Sequence, residues 1–257
     1  MSEDQPKINV LPEVPKSVDN AIENLTDLPT KGIGQTFADC WYLAFGGISQ
    51  LAEKRRIKYA IELENFKNEL ENSLSTVPEE RKIEPTTQIV LKTLDEAKYC
   101  VEEEELRKLF VNLLTSCTDS LKNVHPSFAQ IIGQMSSNDA KMLQTFKVAN
   151  IQPICNIKAV SKEDDSFNIV ARNLFMAGPS NMKLNEKSIS ISSLVHLGLL
   201  EIPEDAHFTD DSFYSGFDET DIFQNNIVHF PDKEIRLQKK IVQTTSLGEL
   251  FISCCLP

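Results

Sequence analysis

The feature that most narrows the fold is the run from Ala52 to Cys117, where apolar side chains recur at three- and four-residue steps. Leu63, Phe66, Leu70 and Leu74 form one stripe, and Val90, Leu94, Ala97 and Val101 a second. Leu106, Leu109, Phe110, Leu113, Leu114 and Cys117 form a third, with Glu and Lys filling the positions between. A stripe at this period is one face of a helix that must be buried against another element. Pro78 stops the first helix and Pro85 opens the second. Glu102 to Glu105 precede the third, where the positive end of the helix dipole favours acids, so these carboxylates need no catalytic explanation. Three amphipathic helices with short joints predict a helical bundle over residues 31–150.

Residues 124–143, VHPSFAQIIGQMSSNDAKML, read as helix punctuation. Pro126 suits a first helical turn, and Ser127 with Gln130 has capping-box spacing. Phe128, Ile131, Ile132 and Met135 give that short helix an apolar face, and Ser136 to Asp139 supply a second cap. His125 therefore sits at a helix entrance, with no Ser, Cys or carboxylate partner evident in the sequence.

Upstream, residues 1–30 are expected to hold a mobile leader and a short helix capped by Ser17 and ended by Pro29. The acidic, proline-broken start does not read as a signal peptide. The apolar run Cys40–Ser49 has about half the 20 or so residues that a membrane span needs. Trp41, Tyr42 and Phe45 are followed by Lys54, Arg55, Arg56 and Lys58, an aromatic-then-basic order found at membrane interfaces and equally in a packed helix with a solvated end. These seven residues are the candidate contacts for a membrane or a partner chain.

After Asn150 the pattern changes. IQPICNIKAV and FNIVARNLF flank the acidic turn KEDD and predict a β-hairpin. A helix at Ser188–Leu197 runs into LGLLEI, with Gly198 as its C-cap, and the chain ends in a helix capped by Thr245 or Ser246. Helix, strand, loop, strand and helix in this order predict a winged-helix-like α+β unit over 151–257. The whole is then mainly helical, α+β overall: an N-terminal bundle, then a smaller winged-helix-like part with a hairpin. Its loop, 203–234, is long and acidic. From Glu201 to Glu234 ten Asp and Glu face Lys233 alone, so this stretch carries most of the chain's net charge of −12. Such a surface repels phosphate, and the helix at 188–198 offers only His196 with Lys187 at its edge, so nucleic acid is not an expected partner.

Chemistry is missing from the motifs. Gly32-Ile-Gly34 lacks the third glycine and the strand of a phosphate loop. No G-x-S-x-G elbow or H-E-x-x-H helix exists. Pro231-Asp232-Lys233-Glu234 has the look of a nuclease signature, but Arg236 stands where its lysine belongs. His207 with Asp210 and Asp211 is the nearest approach to a metal set. The six cysteines include no C-x-x-C pair and read as reduced thiols. No catalytic constellation, metal site or cofactor is expected.

Three segments in order, AEKRRIKYAIELENFKNELENSLSTVPEERKIEP, EAKYCVEEEELRKLFVNLLTSCTD and VHPSFAQIIGQMSSNDAKML, resemble the abortive-infection alpha family of bacterial proteins. SISSLVHLGLLEI and IVQTTSLGELFISCC extend the resemblance, over roughly residues 40–255. The motif-bearing residues are Glu105, Leu106, Phe110, His125, Pro126, Ser127 and Phe128, to which a structural part is assigned. The resemblance implies phage resistance, in which an infected cell stops growth or dies before virus release, and transfers no catalytic residue. The expectation is a non-enzymatic antiphage protein, cytoplasmic or peripheral to the inner membrane face. It would act through self-association, a phage or host protein trigger, or membrane contact. The alternatives are a metal-dependent nuclease using acids from 205–234, and a winged-helix regulator.

Overall fold

The computed structural model describes residues 35–45 and 53–257, with side chains from 39–45 and 58–257. The leader and short helix expected at 1–30 lie outside the described residues. The elements are α1 (Gln35–Phe45), α2 (Glu53–Ser75), α3 (Thr87–Ala97), α4 (Glu104–Ser116), α5 (Phe128–Gly133), α6 (Ser137–Val148), β1 (Ile151–Ser161), β2 (Phe167–Leu174), α7 (Leu184–His196), β3 (Leu200–Glu201), α8 (Asp221–His229), β4 (Lys233–Thr244) and α9 (Ser246–Cys255).

The three stripes do what their spacing demands. Leu63, Phe66 and Leu70 of α2, Val90 and Leu94 of α3, and Leu109, Phe110, Leu113 and Leu114 of α4 are all buried in one core. Val101 departs from the helix expected for it. Helix α3 ends at Ala97, and Val101 lies in the following turn, where its carbonyl accepts a hydrogen bond from Arg107 (2.9 Å). Helix α6 starts on a capping box: the Asp139 amide donates to Ser136 Oγ, and the Ser136 amide donates to Asp139 Oδ2. The capping box expected at Ser127 is not formed. Ser127 is in a helical conformation, and its hydroxyl makes no cap bond to the helix.

The sheet is four-stranded and antiparallel, in the order β2-β1-β4-β3. The hairpin β1–β2 is present as expected, turning through Asp165 at φ +56°. β3 has two residues, and the long partner of β4 is β1, paired in unbroken register from Ile151↔Gln243 to Ser161↔Lys233. The stretch expected as a loop, 203–234, is built instead. It holds a 3-10 turn at Asp211–Tyr214 and helix α8, and its Tyr214, Phe217 and Phe223 pack with Cys155, Ile157 and Leu174 in a second core. The main core runs through both halves of the chain, since Ile154, Phe175, Leu200, Val242 and Phe251 join the helical residues. Residue 150 therefore marks where the sheet begins, and the main core continues across it.

The seam between α7 and α9 is close. Gly198, at φ +73°, ends α7, and the Leu199 amide reaches back to the Leu194 carbonyl (3.0 Å). Thr245 caps α9 by accepting from the Gly248 amide (2.9 Å), and its hydroxyl donates to the Gly198 carbonyl (2.6 Å). Gly248 is then pressed against the Leu199 backbone, where a Cβ would lie 2.9 Å from the carbonyl carbon.

Candidate functional site

Helix α1 divides its side chains between two environments. Trp41 and Phe45 are fully buried, with the indole stacked on Phe66 of α2 at 5.6 Å between centroids and Phe45 at 4.6 Å from Trp41. Tyr42 and Leu43 point outward and are 61% and 71% exposed. Of the aromatic trio offered as contact residues, Tyr42 is exposed, whereas Trp41 and Phe45 are packed within the chain. Lys58 pairs with Glu102 at 2.5 Å on the surface, which holds its ammonium pKa above the ordinary value. The side chains of Lys54, Arg55 and Arg56 lie outside the described residues.

The segment EEEELRKLFVNLL supplies an anchor that periodicity does not show. Arg107 is buried and donates to Glu69 (3.0 Å), Glu62 (2.7 Å) and the Val101 carbonyl, so α4 is tied to α2 at two points about two turns apart. Burial opposes its charge, and the Glu69 hydrogen bond with both carboxylates more than offsets that, leaving its pKa raised. Leu106 and Phe110 are buried beside it and Glu105 is partly exposed. In HPSF, exposed His125 accepts the Ser127 amide at Nδ1 (3.2 Å), with the Ser127 hydroxyl 2.7 Å from the same nitrogen. Exposed Pro126 continues the turn, and the imidazole leans on buried Phe128 at 5.8 Å. The amide of Ser127 can only donate, so Nδ1 is an acceptor, and the ring closes a local turn.

A polar cavity of about 280 Å³ lies where the C-terminal ends of α2, α4 and α9 converge. Three negative helix ends meet there, and the groups lining it answer them. Ser116 donates to the Cys254 carbonyl (2.8 Å), Asn112 to the Cys255 carbonyl (3.0 Å) and Lys122 to the Ser253 carbonyl (2.5 Å). Arg81 forks onto Asp119, whose second bond comes from the Leu121 amide (3.0 Å). Cys117, Cys254 and Cys255 meet behind this wall as free thiols. Burial pushes Cys117 up to about 12 and Cys255 well above the ordinary thiol value, so neither is a thiolate at neutral pH. The donors of this cavity close a helix end.

The Arg81 hydrogen bond holds the Asp119 carboxyl below its ordinary 3.8. A depressed folded-state pKa contributes stability that is present above the unfolded value and lost as pH falls through the folded one. Urea melts in steps from pH 6 to pH 3 are therefore expected to show stability falling more steeply in the wild type than in Asp119→Asn. Parallel curves for the two proteins would show that this pair does not contribute.

Two acids of the acidic segment are likewise engaged. Asp210 caps the 3-10 turn through the Ser212 amide (2.9 Å), and Asp211 pairs with Lys239 (2.6 Å). His207 is exposed. Among the described residues, no group of three or more His, Cys, Asp or Glu is arranged to hold a metal ion. None of the described helices is long and apolar enough to cross a membrane.

The comparison that decides the family covers most of this architecture: the model of the abortive infection alpha family matches residues 58–255. The chain belongs to the abortive infection alpha family. No curated protein matches it. A solved structure, an uncharacterized protein from the hydrocarbon-degrading marine bacterium Alcanivorax borkumensis SK2, is 11% identical over 49% of this chain and 90% of its own, with a TM-score of 0.32. That likeness carries no argument.

The abortive infection alpha match takes in Arg107, the HPSF turn, the polar cavity and the sheet, and it starts after α1. Trp41, Tyr42, Phe45, Lys54, Arg55 and Arg56 thus lie outside the matched span, and Lys58 is its first residue. Within it, sequence reasoning missed two buried cations. Lys187, expected at the edge of its helix, lies within it, is buried and donates to the Met176 carbonyl (2.9 Å), its pKa lowered by desolvation. Arg107 passed as one more charge on an amphipathic helix. Its signal was its place within the apolar stripe, directly after Leu106.

Proposed function

We propose that the chain acts in phage defence by association with protein, without catalysis, and that the outer face of α1 is its contact. The observation that carries this reading is the pair Tyr42 and Leu43, held outward on a helix whose other side is locked into the core by Trp41 and Phe45. An exposed aromatic–aliphatic pair on a fixed scaffold is the kind of feature that anchors an interface. A second copy of the chain is the first expected partner, with a phage or host protein trigger or a membrane surface as further ones. In the C-terminal half, the order α7, β3, β4, α9 supports a winged-helix-like partner-binding unit in which the acidic segment takes the place of the wing.

The test is the pair Tyr42→Ser/Leu43→Ser, compared with wild type by sedimentation equilibrium and by phage plating. Removing two interface anchors should weaken self-association by about tenfold or more and abolish protection while leaving the circular dichroism spectrum unchanged. Unaltered mass and unaltered plating would sink the proposal. Dye leakage from cells, if lost in the same variant, would make lipid the partner.

A further inference from the structure

The two faces of the sheet differ in what covers them, with Lys233 and Lys239 of β4 on the side of the acidic cover and Lys158, Arg236 and Lys240 on the other. In the regular β1–β4 ladder, directly opposed residues share a face and alternate along each strand. One face carries Cys155, Ile157, Ile235 and Leu237, and it is covered by the segment with Tyr214, Phe217 and Phe223. That cover is acidic: Asp210, Asp211, Asp218, Glu219 and Asp221 are all exposed, and among the described residues Asp211 is the one of these in a salt bridge, with Lys239. The opposite face begins under the helical core at Ile154 and Val242. Beyond them it carries three cations, Lys158, Arg236 and Lys240, against one acid, Glu234, which is paired with Arg236 at 2.5 Å. Phe167, 51% exposed, lies at the end of this face with the Lys158 ammonium 3.8 Å from its ring centroid. Arg172, the only charge on edge strand β2, is exposed as well.

We infer that this basic sheet face is a docking site for a second copy of the chain, whose acidic cover, Asp210–Asp221, it receives. The occupant follows from charge complementarity. A chain of net charge −12 with its acids concentrated on one side of a sheet repels a nucleic acid at long range, yet attracts its own basic face in the right orientation. Both surfaces also offer apolar groups, Phe167 on the basic side and Phe213, 49% exposed, on the acidic side. Because the two surfaces lie on opposite faces of the sheet, one two-fold contact does not engage both at once, so the contact is head-to-tail and propagates to a ring or a filament instead of stopping at a dimer. The inference rests on the reading of the chain as self-associating and adds a contact separate from α1.

A charge swap tests it on the full chain. Sedimentation at low salt should show the wild type above monomer mass and salt should lower that mass. Arg236→Glu/Lys240→Glu and, separately, Asp218→Lys/Glu219→Lys should each raise the dissociation constant about tenfold or more, and an equimolar mixture of the two variants should associate again. Should either reversal fail to fold, Arg236→Gln/Lys240→Gln and Asp218→Asn/Glu219→Gln give the same comparison, and their mixture should still pair through the intact acidic cover of the first and the intact basic face of the second. Association unaffected by the variants but lost in Tyr42→Ser/Leu43→Ser overturns this inference and leaves the α1 reading standing. A wild type that is monomeric at every salt concentration overturns both. Binding of a single-stranded oligonucleotide, abolished by Arg236→Gln/Lys240→Gln in a monomeric protein, would assign the face to nucleic acid instead.

Discussion

Gly248→Ala is expected to be among the most destabilising single-methyl changes available in this chain. A Cβ at residue 248 falls 2.9 Å from the Leu199 carbonyl carbon and 3.3 Å from its Cα, with the carbonyl oxygen closer still. These are backbone atoms, so no rotamer change relieves them. Leu199 is held by its own bonds, its amide to the Leu194 carbonyl and its carbonyl to the Thr245 amide. Relief requires α9 to withdraw, which breaks the bond from Thr245 to Gly198 and lifts Phe251, Cys254 and Cys255 out of the core. Alanine is the better helix former by about 1 kcal/mol, but overpacking of this kind costs about 3 kcal/mol. For a chain of this size the net loss is expected to lower the melting temperature by about 4–8 °C. Gly198→Ala is the informative control. Its Cβ meets only Leu247, at 4.0 Å, so it reports the left-handed backbone alone, a cost of about 1–2 kcal/mol. Calorimetry that finds Gly248→Ala as stable as wild type would mean that the α7–α9 seam is not as close as described.

The two glycines also show where sequence reasoning reaches its limit. Gly198 was legible because a C-cap glycine after an apolar helix has a local cause, whereas the cause of Gly248 sits 49 residues away in Leu199. The same division holds elsewhere. Stripes at Leu63–Leu74 and Leu106–Leu114, the hairpin around KEDD and the caps at Ser136 and Thr245 depend on neighbours in sequence, and all are present. The pairing of β4 with β1 joins residues some 80 positions apart, and no period in either strand announces the partner. In 203–234 the buried aromatics, Tyr214, Phe217 and Phe223, are spaced among so many acids that the charge conceals a packed cover. Trp41 and Phe45 were ambiguous in kind: aromatics before a basic cluster suit a lipid surface and a core equally. Phe66, stacked on the indole, decides for the core. What remained for a candidate contact was the other side of the same helix, which the aromatic pattern had not singled out at Leu43.

Arg107→Met should unfasten α4 from α2 at a cost set by what is left behind. Methionine fills most of the volume of the arginine stem, so the cavity term is small and the loss is chiefly electrostatic. Removing one member of a buried ion network leaves its partners uncompensated, which costs 3–5 kcal/mol when those partners are fully buried. Here Glu62 and Glu69 keep 24% and 33% of their side-chain surface in contact with water, so both are partly rehydrated in the variant. The expected loss is therefore smaller, about 2–3 kcal/mol, together with the Val101 carbonyl left without the bond that closes the α3–α4 turn. Arg107→Lys separates charge from geometry. An ammonium keeps the charge but not the planar fork that reaches two carboxylates and a carbonyl at once, so it should restore less than half of the loss. A double-mutant cycle with Glu69→Gln then measures the coupling directly. A coupling near zero, or full recovery with lysine, would reduce Arg107 to an ordinary surface cation and remove the reason for its place inside the apolar stripe of α4.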